Sequence, residues 1–192
     1  MIYADNAATT KMSERAKKVM LETADSFWEN PSSLHTPGQK AAERLYKVRE
    51  DIAKIIGADP GEIYLTSGGS EADNQALRTA AKIGRRKKKM HIISTAIEHH
   101  AILHTLDALK KEGFEITLVP VDEFGRVSPE DIKNAIKDDT VMVSVMFANN
   151  EIGTIEPIEE IAAVCKEKGV LFHTDAVQAA GHLKIDVKEM QI

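Results

Sequence analysis

Apolar positions in residues 37–57 (PGQKAAERLYKVREDIAKIIG) recur at steps of three and four: Ala41, Leu45, Val48, Ile52 and Ile55. With Pro37 near the start and Gly57 at the end, that spacing predicts a helix with one buried stripe. Beyond it, short β-rich runs alternate with amphipathic stretches. Strands are predicted at 63–66, 91–95, 115–121, 141–148 and 170–176. The 141–148 run (VMVSVMFA) is so continuously apolar that it reads as a strand covered on both faces. Helices are predicted over 71–84, 97–111, 129–137 and 157–168, with a turn at Asp122–Gly125. The third of these helices has Ser128 as N-cap, Pro129 at its first position and the acids Glu130 and Asp131 in its first turn. Strand–helix alternation of this kind means βα crossovers, hence a three-layer α/β fold with a mostly parallel sheet.

In such sheets ligands bind at the carboxyl ends of the strands. Four polar clusters occupy those ends: Ser67–Ser70, Glu98–His100, Asn149–Glu151 and His173–Asp175. The glycines Gly68 and Gly69 let backbone approach a ligand, and the amides that follow open a helix whose dipole favours an anion such as phosphate. A tight turn with a serine cap is the alternative there. His99 suits an imidazole face laid over a flat ligand ring, with a ring nitrogen available for proton transfer. His100 and His104 could instead form a zinc pair, with Glu98 or His173 as a further ligand, but nothing fixes a third position and no metal site is assigned. Asp175 follows an apolar strand and needs a cationic or hydrogen-bonding partner; the alternative is that it caps a helix over 176–181. Gln178, one helical step on, could donate to a second atom of the same ligand. Cys165 falls on the apolar stripe of Ile158 and Ile161 and reads as packing. The basic run Arg85–Lys89 reads as a solvated helix end, because it lacks the aromatic interleaving of nucleic-acid binders.

Composition narrows the class. The 192 residues carry 25 Lys+Arg against 30 Asp+Glu, a formal net charge of −5, which argues against general nucleic-acid binding. Hydrophobic residues at 43% and charged residues at 29% are ordinary for a globular chain of one domain or a little more. No apolar run reaches the ~18 residues of a membrane span, and the N-terminus lacks the regions of a signal peptide. A single cysteine excludes an internal disulfide and fits a reducing, cytoplasmic location. The closing segment KIDVKEMQI has no turn chemistry or terminal helix to complete a domain.

Six segments in order carry a resemblance: Asp5–Thr10 (DNAATT), Asn30–His35 (NPSSLH), Leu65–Asn74 (LTSGGSEADN), Glu98–His100 (EHH), Asn149–Gly153 (NNEIG) and His173–Gln178 (HTDAVQ). Together they resemble the NifS/IscS cysteine desulfurases, class V members of the fold-type-I enzymes that use pyridoxal 5'-phosphate (PLP). The match runs from residue 2 to about residue 187. The resemblance implies that Gly69 and Ser70 hold the cofactor phosphate and that His99 stacks on the ring and moves protons. Asp175 would pair with the ring nitrogen, Gln178 would bond the ring hydroxyl, and Asn150 would contact the ring or substrate. It implies removal of sulfur from L-cysteine to give L-alanine and an enzyme persulfide, a sulfur acceptor such as an iron–sulfur scaffold protein, and a homodimer. Residues 1–15 would be an N-terminal segment, and 16–192 an incomplete PLP-binding large domain of the fold-type-I class. The phosphate loop departs from the family's GATE: Gly69-Ser70 keeps the hydroxyl and drops a methyl. The Schiff-base lysine, in a Ser-x-His-Lys context, and the persulfide cysteine belong to a part of the family's length not matched here; Lys184, Lys188 and Cys165 do not fit them. A truncated binding or assembly partner, a selenocysteine lyase-like enzyme and a metal-dependent hydrolase are the alternative readings.

Overall fold

The computed structural model describes residues 2–192. They separate into two compact units, one ending at Tyr64 and the other Leu65–Ile192. The first unit holds helices α1 (Glu14–Ser26) and α2 (Thr36–Ile56) and a short 3₁₀ turn, Pro60–Glu62. The pattern of apolar positions does not mark α1, which buries none of its residues; its start is set by Ser13, whose hydroxyl accepts from the Ala16 amide at 3.1 Å. The helix predicted over 37–57 forms one residue earlier at each end, with His35 as N-cap and Gly57 closing it at φ 69°.

The second unit is α/β. Its sheet has four parallel strands, β1 (His91–Thr95), β2 (Glu115–Val119), β3 (Thr140–Ser144) and β4 (Leu171–His173), in the order β2-β1-β3-β4. Helices α3 (Gly69–Lys87), α4 (His100–Lys111), α5 (Pro129–Ala135) and α6 (Ile158–Lys168) cover its two faces. Alternation within β1 separates two cores. Ile92 packs with Leu77 of α3 and Ile102, Leu106 and Leu109 of α4. Ile93 packs with Ile132 of α5 and Ile158, Ile161 and Cys165 of α6. Each of these side chains contributes roughly 1.5–3 kcal/mol by leaving water. Val141 is an extra residue between Thr140, opposite His91, and Met142, opposite Ile92; this bulge explains why Val141 and Met142 both join the α3–α4 core. His91 is fully buried with both ring nitrogens 2.8 Å from threonine hydroxyls, those of Thr140 and Thr117.

Three expectations need correction. The strand expected at 63–66 does not form: among the described residues nothing pairs with it, and Tyr64 and Leu65 are exposed. An extended run without a ladder partner is no strand; the Ile63 amide donates instead to Pro60 O at 3.4 Å, closing the 3₁₀ turn before it. The helix considered over 176–181 is a series of turns. The third difference is in length, since β3 ends as a regular strand at Ser144. The apolar run beyond it still pairs with the chain after β4, through Val145 N–H to His173 O at 3.1 Å and Phe147 N–H to Asp175 O at 2.8 Å. No helix among the described residues is long and apolar enough to cross a membrane.

Close packing at α3 yields a first prediction. A Cβ at Gly84 would collide with the backbone carbonyl oxygen of Lys89 and crowd Val141. Alanine's helix propensity favours Gly84→Ala by about 1 kcal/mol, whereas overpacking against backbone costs about 1–3 kcal/mol. The variant is therefore expected to melt below the parent; a higher Tm in a thermal scan would show that the turn after α3 yields.

Candidate active site

Strand order reverses between β1 and β3, so the crevice rule places the site where their carboxyl ends part. The chain beyond these ends is tied together by backbone and side-chain bonds. Met146 N–H donates to Glu98 Oε1 at 2.9 Å, and Asn149 Nδ2 donates to the Ile97 carbonyl at 3.1 Å. A Cβ at Gly69 would lie 2.9 Å from Val177 Cγ2, so the loop before α3 and the turn after β4 are nearly in contact. Gly69, Ser70, Glu98, His99, Asn150, Asp175 and Gln178 all belong to the unit Leu65–Ile192.

At the start of α3 the N-cap is Gly68, and no side chain caps the helix. The serine-cap alternative thus fails: Ser70 lies inside the first turn, with its residue exposed. The loop is stiffened instead by Glu71, whose Oε2 accepts from the Ser67 amide at 2.7 Å and the Ser67 hydroxyl at 2.6 Å. Those bonds hold the Glu71 carboxyl below its usual range. A 19-residue helix with a bare first turn offers amides and a dipole end suited to an anion.

His99 is the N-cap of α4 rather than its first residue. Its Nδ1 accepts from the Ala101 amide at 3.1 Å. That bond assigns the proton of the neutral ring to Nε2. The His99 residue is exposed. His100 and His104 stack with ring centroids 5.3 Å apart at 14°. Among the described residues no group of three His, Cys, Asp or Glu is arranged to hold a metal ion.

Asp175 is half-buried, and its Oδ1 accepts from the Val177 amide at 3.0 Å, an Asx turn in place of a helix cap. Gln178 is half-buried in the same series of turns, and Asn150 in the turn after β3. The neighbouring Asn149 is built into its loop, its Oδ1 accepting from Glu151 N–H at 2.8 Å and Ile152 N–H at 3.1 Å. His173, two residues before Asp175, has Nδ1 2.9 Å from Ser144 Oγ and Nε2 3.7 Å from Asp73 Oδ1. The longer distance is an electrostatic contact, not a hydrogen bond. Burial lowers the His173 pKa, against the pull of Asp175. Asp73 is 5% exposed, and burial, then the charge of Asp175, raises it to about 7.

Asp73 escaped the sequence reading. Its signal was an acid on the apolar stripe of α3, in step with Leu77, Ala80, Ala81 and Gly84. Cys165 is fully buried with its thiol pushed up to about 12, a packing residue. In the basic run, Arg85 pairs with Glu112 and lies over the Phe114 ring at 5.2 Å, while Lys89 donates to Thr140 O at 3.3 Å. Two surface grooves lie away from His99 and Asp175. One is lined by Pro120, Asp131 and Ser128, the other by Glu156, Leu183 and Met190. Chemistry marks the strand-end residues: in chain order, anion donors at the start of α3, an imidazole at the start of α4 and a carboxylate after β4. That set suits a flat anionic ligand with a basic ring nitrogen.

Comparison with known proteins gives the same direction. Residues 2–192 match the family described as Aminotransferase class-V. The chain is 56% identical over 191 residues to the cysteine desulfurase IscS of Clostridium botulinum (strain Kyoto / Type A2), covering 100% of this chain and 48% of that protein. It is 49% identical to the cysteine desulfurase IscS of Methanosarcina thermophila, covering 100% and 47%. A solved structure described as a NifS-like protein superposes with a TM-score of 0.93 at 38% identity, over 97% of this chain and 52% of that one. One described as SspA in complex with cysteine gives 0.92 at 36%, over 97% and 53%. The chain spans about half the length of the curated relatives it matches. By a match that runs from Ile2 to Ile192, the chain belongs to the class-V aminotransferase family.

Proposed function

We propose that this chain is the cofactor-binding part of a PLP-dependent cysteine desulfurase. Its substrate is L-cysteine, its products L-alanine and an enzyme persulfide, and its acceptor a sulfur-receiving protein such as an iron–sulfur scaffold. It works in the cytoplasm as a homodimer, with residues 16–192 forming most of the large domain behind an N-terminal segment, 1–15. PLP is the cofactor of the family. The observation that carries the reading is the pairing of an uncapped α3 start with a half-buried Asp175 across the loop contact at Gly69 and Val177. This donor set fits PLP, which is anionic at its phosphate and basic at its ring nitrogen.

The amides of the α3 start, with Gly69 and Ser70, hold the phosphate, and the Ser70 hydroxyl adds a donor. Asp175 faces the ring nitrogen and keeps a proton on it, while Gln178 donates to the ring hydroxyl and Asn150 contacts the ring or substrate. His99 would cover the ring face, and its Nε2–H stands ready to give a proton. When bound, PLP supplies an electron sink for bonds at the substrate α-carbon. Cys165 takes no part in sulfur transfer, because a buried thiol at about 12 yields no thiolate near neutrality.

The experiment has two arms. PLP is titrated into the 192-residue chain and followed by circular dichroism induced in the ligand's absorption band; weak, non-covalent binding is expected. A protein of the relatives' length is then assayed, with a thiol reductant that supplies the two electrons needed to release persulfide sulfur as sulfide, for sulfide and alanine from L-cysteine and for selenide from selenocysteine. Equal sulfide and alanine are expected. Selenide without sulfide would favour a selenocysteine lyase, and no PLP binding in either protein would overturn the reading.

A further inference from the structure

Glu98 lies at the point where strand order reverses, one residue before His99, and is only 5% exposed. One of its oxygens is fully used: Oε1 accepts from the Thr95 hydroxyl at 2.7 Å and from the Met146 amide at 2.9 Å. The other, Oε2, is buried with no hydrogen-bond partner among the described residues. A carboxylate with a bare buried oxygen is costly, so the stable form there carries a proton, and Oε2 is the oxygen free to take it. Burial accordingly raises the Glu98 pKa to about 7. The charges of Asp175, after β4, and Glu156, before α6, push the same way, and the bonds from Met146 and Thr95 push back.

The bond to Met146 crosses from the turn after β1 to the end of β3, and a second crossing, from Asn149 to the Ile97 carbonyl, lies beside it. Between them they clamp the turn that delivers His99 to the start of α4. We propose that Glu98 is a positioning residue for His99: as a neutral carboxylic acid it fastens the β1–α4 turn to the end of β3 and so fixes the imidazole over the ligand ring. The proposal rests on the PLP reading for the ring, and on this chain's own hydrogen bonds for the clamp.

The test compares Glu98→Gln and Glu98→Ala with the parent chain, without and with PLP. Glutamine copies the neutral acid, whereas alanine removes the clamp. In the parent, the Glu98 carboxyl carbon and the Met146 amide are expected to titrate together near pH 7 by NMR; in Glu98→Gln the Met146 amide should be flat through that range. The His99 ring resonances should match the parent at pH 6 in Glu98→Gln and move in Glu98→Ala. PLP affinity should stay within about threefold in Glu98→Gln and fall about tenfold in Glu98→Ala, the scale of one lost ring-stacking contact. A Met146 amide that ignores Glu98, or a Glu98→Gln variant as impaired as Glu98→Ala, overturns the proposal. The parent and His99→Ala keep the two failures apart. No PLP binding by the parent, or unchanged affinity in His99→Ala, counts against the ring reading, while the amide titration still judges Glu98.

Discussion

Asp175→Ala is expected to weaken PLP binding by about 10²–10³-fold, the consequence of leaving a desolvated ring cation without its counter-charge. The carboxylate sits at the end of β4, anchored through Oδ1 to the Val177 amide. Burial lowers the His173 pKa beside it, and the raised pKa values of Asp73 and Glu98 favour their neutral forms below pH 7. Asp175 is therefore the carboxylate placed after β4 to face a ring cation, Glu71 being engaged with Ser67 in the loop before α3. Induced circular dichroism or calorimetry of the parent and variant measures the loss. Affinity within threefold of the parent would remove Asp175 from the cofactor site. Because the Asp175 charge helps raise Asp73, the same variant should also lower the Asp73 titration midpoint.

The second large effect concerns stability. Asp73 titrates at about 7 in the folded chain against its usual 3.8. A folded state that binds a proton more tightly than the unfolded state is favoured below the unfolded pKa, and that advantage is lost as pH rises through the folded one. Asp73→Asn, which cannot ionise, should keep what the parent loses. Its advantage over the parent is expected to grow from pH 4 to pH 7 and level off above, reaching about 2–4 kcal/mol. His91 and His173 act in the opposite sense: their lowered pKa values make acid destabilising as pH falls through about 6.5. His91, bonded to Thr140 and Thr117, contributes equally to both and cancels. His173, with Nε2 3.7 Å from Asp73 Oδ1, is coupled to the substituted side chain, and repeating the pair in a His173→Gln background separates the two. Denaturant unfolding at pH 5, 6, 7 and 8 decides; a difference that does not change with pH would mean that Asp73 stays ionised throughout.

Much of the second unit was legible in advance. β1 forms at 91–95 as its residues predict, Ser128 caps α5 by accepting from Asp131 N–H at 3.3 Å, and Gly169 ends α6 at φ 64°. These are local events, decided by side-chain periodicity, capping and glycine within a few residues. The strand expected at 63–66 and the helix considered at 176–181 failed for non-local reasons. Strand formation needs a partner, and the chain entering 176–181 is held at Asp175, whose carbonyl accepts from Phe147 N–H beyond β3, and at Val177, which lies against Gly69 at the start of α3.

Residue types at strand ends marked His99, Asn150, Asp175 and Gln178 as candidates, because an α/β chain delivers the residues after each parallel strand to the same end of the sheet. Gly69 and Ser70 were marked on the same ground, but the first turn of α3 comes beside Val177 with no strand before it. The ionisation of the groups around them was decided only in three dimensions. Asp73 and Glu98 are ordinary acids in one dimension. They become near-neutral groups because burial strips their water and brings the charge of Asp175 within reach. Desolvation and long-range Coulomb interaction depend on distances that no spacing along the chain specifies.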